Sequence, residues 1–459
     1  MKKFYLFAAA AVLLAACVKT QNLDEVTPIG ADETAVSFDV YTARATKAGK
    51  PQEITTAKLQ AGPGFGVFAY YTNNGKYDQY VKPNFMYNQQ VTWKASNDTD
   101  GVWVYEPVKY WPNETGNAAV SDDNDYVTFF AYAPYVISVP STGAVKVPEG
   151  KGLDETVEQH RNITGMINNN TMGDPKIKYV VDWNPQTSVD LLWGVQKSTN
   201  TNDDINGLPF LNQLKPTVDA KTSFNLKHAL AKLNVMIDAH GDGITQLGDE
   251  IDAKTRIYVR SITFEGFAAK GALNLNNTTA DTPLWMDYAG IDNLVAEPVT
   301  IFDGRKDGKE GQKDGEATRE KVIGLNPEIV QSFPYYETDS LTNGVTNKMV
   351  NLFKPFSSTD GNKDPIFVIP NGDPISITIV YDVETQDKNL AGYLSDGVTH
   401  GSTIENTITK KLEVTMAAGK AYKITLHLGM TSVKVEATVE DWATGADSWV
   451  DLPLNTTNS

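Results

Sequence analysis

The chain has 459 residues, with 57 acidic and 40 basic side chains, five histidines and one cysteine, and its formal net charge is −17. This length suits two or three domains, and the lack of a clustered basic tract argues against nucleic acid or an anionic membrane surface as a direct partner. A single cysteine excludes an internal disulfide framework and any metal site built from several cysteines.

The first segment of the chain has the pattern of an export signal. Lys2 and Lys3 precede an apolar run over 4–14, and small residues follow up to Cys17. A basic start, a short apolar run and small residues before a cleavage site are typical of a secretory signal peptide. The sequence Leu-Ala-Ala-Cys that ends at Cys17 resembles a bacterial lipobox, in which the cysteine is acylated. We therefore predict a lipoprotein signal peptide over 1–16 and lipidation of Cys17; the alternative is an ordinary signal peptide that contains a cysteine.

The first strand is predicted just after a polar tether. Val36, Phe38 and Val40 alternate with polar or amphipathic residues, which is typical of a strand with one buried face. A small, flexible, basic segment over 42–50 follows and contains Arg44 and Lys47. Such a segment is open to proteolysis.

Alternating or continuous apolar runs recur along the rest of the chain, and convincing helical periodicity is confined to the signal peptide. The runs cover residues 65–71, 103–111, 126–135, 233–237, 375–381, 422–428 and 433–439. Many short strands separated by turn residues predict an all-β fold of β-sandwiches. In the last run but one, the alternation places His427 on the polar face. No later stretch is apolar enough to span a bilayer.

The residues give no support for catalysis. The five histidines show no paired spacing, and the sequence contains no nucleophile elbow, phosphate loop or dinucleotide fingerprint. Acidic turns at 122–125 and 202–207 lack the full spacing of a calcium loop. We therefore predict no enzyme activity, no catalytic residue, no metal site and no cofactor. A glycosidase stays a distant alternative, because two strands can bring distant carboxylates together.

Several motifs in a fixed order resemble the fimbrillin family, the subunits of type V pili, in its minor-fimbria-like branch. They are the aromatic stretches at 103–112 and 129–135, the strand at 224–233, the Phe-Val-Ile-Pro at 367–370, and the Ala-Gly-Lys-Ala-Tyr at 418–422 with Trp442. The resemblance implies two tandem β-sandwiches of transthyretin-like, Greek-key type. The implied organisation is a signal peptide over 1–16, a lipidated propeptide with the first strand over 17–44, an N-terminal sandwich over 45–222, a C-terminal sandwich over 223–447 and a tail over 448–459.

The resemblance also implies a mode of assembly. The precursor would be an outer-membrane lipoprotein, palmitoylated at Cys17, and a trypsin-like, Arg-specific protease would cut between Arg44 and Ala45. The first strand, with Val36, Phe38 and Val40, would leave, and a strand of another fimbrillin subunit would fill the groove. From the residues alone, a permanent first strand with an exposed loop arginine stays open, and Lys47 is a competing cleavage site.

The donor of that strand is predicted at the C-terminus. Val450, Leu452 and Leu454 alternate as the first strand does, and Pro453 removes one main-chain donor. Equally open is a terminal strand that packs on its own domain. The prediction is thus a structural pilus subunit that supports adhesion, located at the outer membrane and in the fimbrium after processing. The alternatives are an anchor or accessory fimbrillin, or a monomeric surface lipoprotein that binds glycan or protein.

Overall fold

A computed structural model describes residues 34–42, 54–73, 75–96, 101–111, 125–139, 142–146, 162–167, 173–183, 188–197, 205–216, 221–239, 255–295, 297–303, 350–351, 365–385, 402–428 and 433–441. These residues form 24 strands and one short helix. The prediction of an all-β fold is confirmed, and each strand-like run named above contains a strand.

The first half of the described chain supplies a short helix and twelve strands. They are β1 (Phe38–Thr42), α1 (Thr56–Ala61), β2 (Phe65–Thr72), β3 (Met86–Lys94), β4 (Val102–Val104), β5 (Tyr126–Ala133), β6 (Ile137–Ser138), β7 (Val145–Lys146), β8 (Ile163–Ile167), β9 (Lys176–Val180), β10 (Leu192–Val195), β11 (Phe210–Gln213) and β12 (Thr222–His228). The second half supplies twelve more strands. They are β13 (Ala231–Ala239), β14 (Thr255–Glu265), β15 (Phe267–Ala268), β16 (Lys270–Asn274), β17 (Leu284–Met286), β18 (Val299–Asp303), β19 (Val350–Asn351), β20 (Ile366–Pro370), β21 (Pro374–Thr385), β22 (Ser402–Thr415), β23 (Lys420–Leu428) and β24 (Val433–Asp441).

The largest sheet has eight strands and begins at β1. Its order is β1-β12-β10-β5-β2-β3-β4, and β11 pairs with β5 beside β10. Only the β1–β12 contact in this path is parallel; the other pairs are antiparallel. β1 therefore ends the sheet and is joined to it through β12.

The central strands of this sheet are buried on both faces, which explains their continuous aromatic runs. On one face, Phe65 and Phe129 join a core that also contains β1 and the inward side chains of β12. On the other face, Phe68 and Phe130 join a larger core that extends into the second half of the chain. Aromatic residues in β2 and β5 thus have a packing role on either side.

One four-stranded sheet combines strands from both sides of the domain boundary predicted at 222/223. Its order is β17-β16-β9-β8, and β16 pairs with β9 in antiparallel register from Lys270↔Val180 to Asn274↔Lys176. The division into two sandwiches stays a prediction.

The chain passes from the large sheet to the next one between β12 and β13, at Ala229 and Leu230, both of which are fully buried.

The second half of the chain contributes two further sheets. One has the path β15-β20-β13-β23-β24, with β19 paired to β13, and the other has the order β18-β14-β21-β22. β13 lies at the centre of the first of these, antiparallel to β20 and parallel to β23. Its inward residues, including Leu233 and Val235, are fully buried in the larger core.

Two features differ from the sequence-based expectation. Helix α1 has only six residues, too few for a periodic pattern; Thr55 caps it by accepting a hydrogen bond from the Lys58 amide at 3.3 Å, and Leu59 is its buried residue. His427 lies on the face of β23 opposite the apolar residues, as predicted, but only 2% of this residue is exposed. Thr425, on the same face of β23, is buried as well, so this half of the strand is covered on both sides. No helix among the described residues is long and apolar enough to cross a membrane.

Candidate functional site

The first strand places its predicted apolar residues in the core. Val36, Phe38 and Val40 are each at most 3% exposed, whereas Tyr41, which points to the opposite face, is 57% exposed. The predicted alternation is therefore confirmed in orientation. A single strand at the end of a sheet thus fills an apolar slot with three side chains.

Two different parts of the molecule pair with this segment. Phe38–Thr42 lies parallel to β12 in the register Phe38↔Thr222 to Thr42↔Leu226. Just before it, the Val36 amide donates to the Lys109 carbonyl at 2.9 Å, and the Trp111 amide donates to the Thr34 carbonyl at 2.9 Å. The segment therefore bridges β12 and the stretch after β4, and closes the slot along both edges.

The Phe38 ring occupies an aromatic pocket. It stacks on Phe224 of β12 with centroids 6.0 Å apart, and it lies 5.4 Å from Tyr105, 5.8 Å from Phe129 and 6.5 Å from Phe65. Rings at such separations gain energy beyond simple burial. Four different segments of the chain thus meet at one side chain of β1.

Tyr105 connects the pocket to the backbone of the first strand. Its hydroxyl donates to the Val36 carbonyl at 2.7 Å and accepts a hydrogen bond from the Lys109 amide at 3.2 Å. Burial raises the pKa of the Tyr105 phenol well above its usual value, so the hydroxyl stays protonated as a donor. This contact orients the start of the strand as well as filling space.

The other end of the strand is held by a pair of hydroxyl groups. The Thr42 and Thr56 hydroxyl oxygens are 2.7 Å apart, and the Thr56 amide donates to the Thr42 hydroxyl at 3.0 Å. Thr56 is the first residue of α1. The two ends of the segment that contains Arg44 are therefore fixed next to each other.

A buried contact between a carboxylate and an imidazole lies next to this junction. The Asp190 carboxylate is fully buried and lies 2.7 Å from Nδ1 of His228, the last residue of β12. The same carboxylate oxygen accepts a weak hydrogen bond from the Ile54 amide at 3.4 Å. Asp190 thus joins the residues that precede α1 to the end of the strand on which β1 lies.

The other predicted site residues lie outside the described residues. They are Cys17, Arg44, Ala45, Val450, Leu452 and Leu454. The structure thus describes only the displaced strand among the predicted sites. Within the described ranges, no three His, Cys, Asp or Glu side chains form a group suited to a metal ion.

Sequence reasoning missed the residues that form the slot. Tyr105 and Phe129 lie in stretches that the sequence analysis assigned to strands, but nothing in their spacing links them to Phe38. Thr42 and Thr56 carry no pattern at all. The concentration of aromatic residues in runs that lack alternation was the available signal, because it marks strands that are buried on both faces.

The chain is similar in sequence to a fimbrial protein over nearly its whole length. It is 25% identical over 474 aligned positions to the fimbrium subunit Fim1C of Phocaeicola vulgatus, and the alignment covers 98% of this chain and 99% of the relative. The resemblance to the fimbrillin family is confirmed. The relative of this fimbrillin-like chain is a fimbrium subunit, a structural protein, in agreement with the prediction of no enzyme activity. No protein-family model matches the chain.

Solved structures give weaker likenesses to the fimbrillin-like chain. A Parabacteroides distasonis protein assigned to cell adhesion has 10% identity and a TM-score of 0.37, covering 91% of this chain and 98% of its own. A fimbrilin from Porphyromonas gingivalis has 10% identity and a TM-score of 0.30, covering 89% and 97%. At these TM-scores the structural likenesses carry no further argument.

Proposed function

We propose that the chain is a structural subunit of a pilus-type fimbria at the cell surface, where it supports adhesion and assembles with other fimbrillin subunits. The observation that carries the assembly mechanism is the position of β1 at the end of a sheet, where Phe38, Val40 and the preceding Val36 are buried in an aromatic slot. A strand so placed can be replaced by a strand of another subunit, which would restore both the backbone pairing and the apolar filling.

The proposed precursor is anchored in the outer membrane through a lipid, palmitate, on Cys17. A trypsin-like, Arg-specific protease cuts between Arg44 and Ala45, two residues after the last residue of β1. Cleavage there leaves β1 held only by non-covalent contacts, and its departure removes the anchor together with the strand. The chain after Ala45 contains no cysteine.

The proposed donor is the C-terminal tail of a second subunit. Val450, Leu452 and Leu454 have the same spacing as Val36, Phe38 and Val40. Because the slot accepts side chains at alternate positions, this spacing allows three apolar residues to enter it together. Pro453 lies between two of them and removes one main-chain donor, which the slot tolerates only where that N–H would not pair with a neighbouring strand.

We expect proteolysis of the purified lipidated precursor to start polymerisation. Treatment with a trypsin-like protease should give a new N-terminus at Ala45 and ladders on SDS gels, and Arg44→Ala should give neither, because the strand stays covalently attached. N-terminal sequencing and gel electrophoresis measure both results. Lys47→Ala is the matched control and should polymerise as the unmodified chain does. Ladders from Arg44→Ala would contradict cleavage at this residue.

We expect substitutions in the tail to block assembly without affecting cleavage. Leu452→Asp should leave cleaved monomers, because a carboxylate in an apolar slot is strongly unfavourable. Deletion of 448–459 should do the same, whereas Asp451→Asn, on the opposite face, should polymerise normally. Size-exclusion chromatography after proteolysis measures the outcome. Polymers of the deleted chain would exclude the tail as donor.

A second candidate is an anchor or accessory fimbrillin that keeps its first strand. The contacts that favour it are those at both ends of the first strand: the hydrogen bond from the Val36 amide to the Lys109 carbonyl and the pair of Thr42 and Thr56 hydroxyls. Such a subunit would retain β1 after cleavage. Co-purification of the cleaved segment with a monomer would support this candidate.

A further inference from the structure

A sheet other than the one that contains the first strand carries a cluster of polar and aromatic groups on its surface. The loop after β17 folds back over the sheet of β8, β9, β16 and β17. Asp287 fixes its shape, since one carboxylate oxygen accepts hydrogen bonds from the Ile291 amide at 2.7 Å and the Asp292 amide at 2.9 Å. These amides hold the pKa of Asp287 below its usual value. The Asp287 carboxylate therefore holds the loop in one conformation.

The turn lies close against the sheet because of one glycine. Gly290 has a φ of +74°, and a Cβ on it would lie 2.3 Å from the Ile167 side chain. Residues with a Cβ are strained at this φ, and the Ile167 side chain would have to move to make room for one. The close approach fixes the position of the neighbouring Tyr288 over the outer face of the sheet.

Tyr288 contacts polar side chains from three strands. Its hydroxyl lies 2.7 Å from the hydroxyl of Thr164 on β8. The ammonium of Lys178 on β9 lies 4.9 Å from the centre of the ring, and that of Lys270 on β16 lies 5.7 Å from it. One aromatic ring, two hydroxyls and two positive charges are thus brought together on an accessible face.

Neither of the two lysines is paired with a carboxylate in the described part of the chain, where no carboxylate lies within ion-pair distance of Lys178 or Lys270. The chain as a whole is acidic, with a net charge of −17, whereas this face carries two positive charges beside one ring. Two ammonium groups that lie beside the same ring repel each other. An anionic group bound between the two ammonium groups would remove this repulsion.

We propose that this face binds a carboxylated carbohydrate, with the carboxylate between Lys178 and Lys270. The hydroxyl groups of Tyr288 and Thr164 exchange hydrogen bonds with sugar hydroxyls, and the Tyr288 ring contacts the apolar face of the sugar. An acidic peptide would match the charges but would leave the paired hydroxyls without a specific role. The chemistry of the site therefore favours an acidic sugar, and this proposal does not depend on the assembly mechanism.

The test is direct binding of defined oligosaccharides to the purified full chain before and after salt is raised. We expect sialyllactose or an oligogalacturonate to bind, neutral lactose not to bind, and high salt to weaken the affinity, because the attraction is electrostatic. Lys178→Gln with Lys270→Gln should weaken binding by about tenfold or more, since two charge-assisted contacts are lost. Lys410→Gln with Lys411→Gln on β22 removes the same charge elsewhere and should leave the affinity unchanged.

Three results would overturn the proposal. The first is no binding of any carboxylated sugar at millimolar concentration. The second is equal affinity in the Lys178/Lys270 double variant, provided that its melting temperature matches that of the control variant. The third is binding of polyglutamate or of sulfated sugars with carboxylated sugars excluded, which would assign the face to a different anion.

Discussion

Phe38→Ala is expected to lower the free energy of unfolding of the uncleaved precursor by about 3–5 kcal/mol, the usual cost of removing a buried phenylalanine ring. The reason is the pocket. Only 1% of Phe38 is exposed, and rings from β2, β5, β12 and the stretch after β4 surround it. A rigid aromatic pocket relaxes little around a void, so we expect the upper part of this range. Urea denaturation followed by tryptophan fluorescence measures the change.

The matched control for this variant is Tyr41→Ala on the same strand. Tyr41 is 57% exposed, so its loss should change stability by no more than about 0.5 kcal/mol. After proteolysis the two variants should also differ in their rate of polymerisation, because a less tightly bound first strand dissociates faster. Phe38→Ala should then polymerise faster than the unmodified subunit. Equal stability of the two variants would show that Phe38 does not anchor the strand.

A disulfide between β1 and β12 is expected to abolish polymerisation even after complete cleavage. Asp39 and Ser223 are partners in the parallel register, and adjacent strands lie about 4.8 Å apart, within the range that a disulfide bridges. Asp39→Cys with Ser223→Cys should therefore lock the strand in its slot under oxidising conditions. Adding dithiothreitol should restore the ladders. Gel electrophoresis with and without reductant compares the disulfide-linked and the reduced form of the same protein.

A second disulfide separates locking from a general effect of oxidation. Thr378 and Thr409 are partners of β21 and β22, with their hydroxyl oxygens 2.9 Å apart. Thr378→Cys with Thr409→Cys should form a disulfide and still polymerise, because β1 stays free to leave. Normal ladders from the oxidised Asp39/Ser223 variant would mean that assembly does not need the exit of β1.

The alternation in the first strand was sufficient to predict its inward face but not its partner. Val36, Phe38 and Val40 differ so clearly from their neighbours that one face had to be buried. The partner, β12, begins more than 180 residues later and lies parallel to β1. A periodic pattern contains no information about which distant strand it meets, because the pairing depends on the packing of the whole core.

The slot around Phe38 and the covered face of β23 were not predictable for a related reason. A sequence of apolar and polar residues indicates which face prefers burial, and it cannot show whether the other face is covered too. His427 and Thr425 alternate correctly with apolar residues and are nevertheless buried. Helix α1 was missed because six residues are too short for a helical period to be seen.

The short buried link between β12 and β13 has a mechanical consequence. Ala229 and Leu230 join the strand that holds β1 to the central strand of the next sheet without an intervening loop. Tension applied to a strand in the slot would load the β1–β12 hydrogen bonds in shear and then pass along the covalent backbone into β13. There it would spread into the parallel ladder with β23, which extends over eight residue pairs from Lys232 to Ala239. A subunit built in this way resists pulling through its main chain, independently of how firmly its sheets adhere to one another.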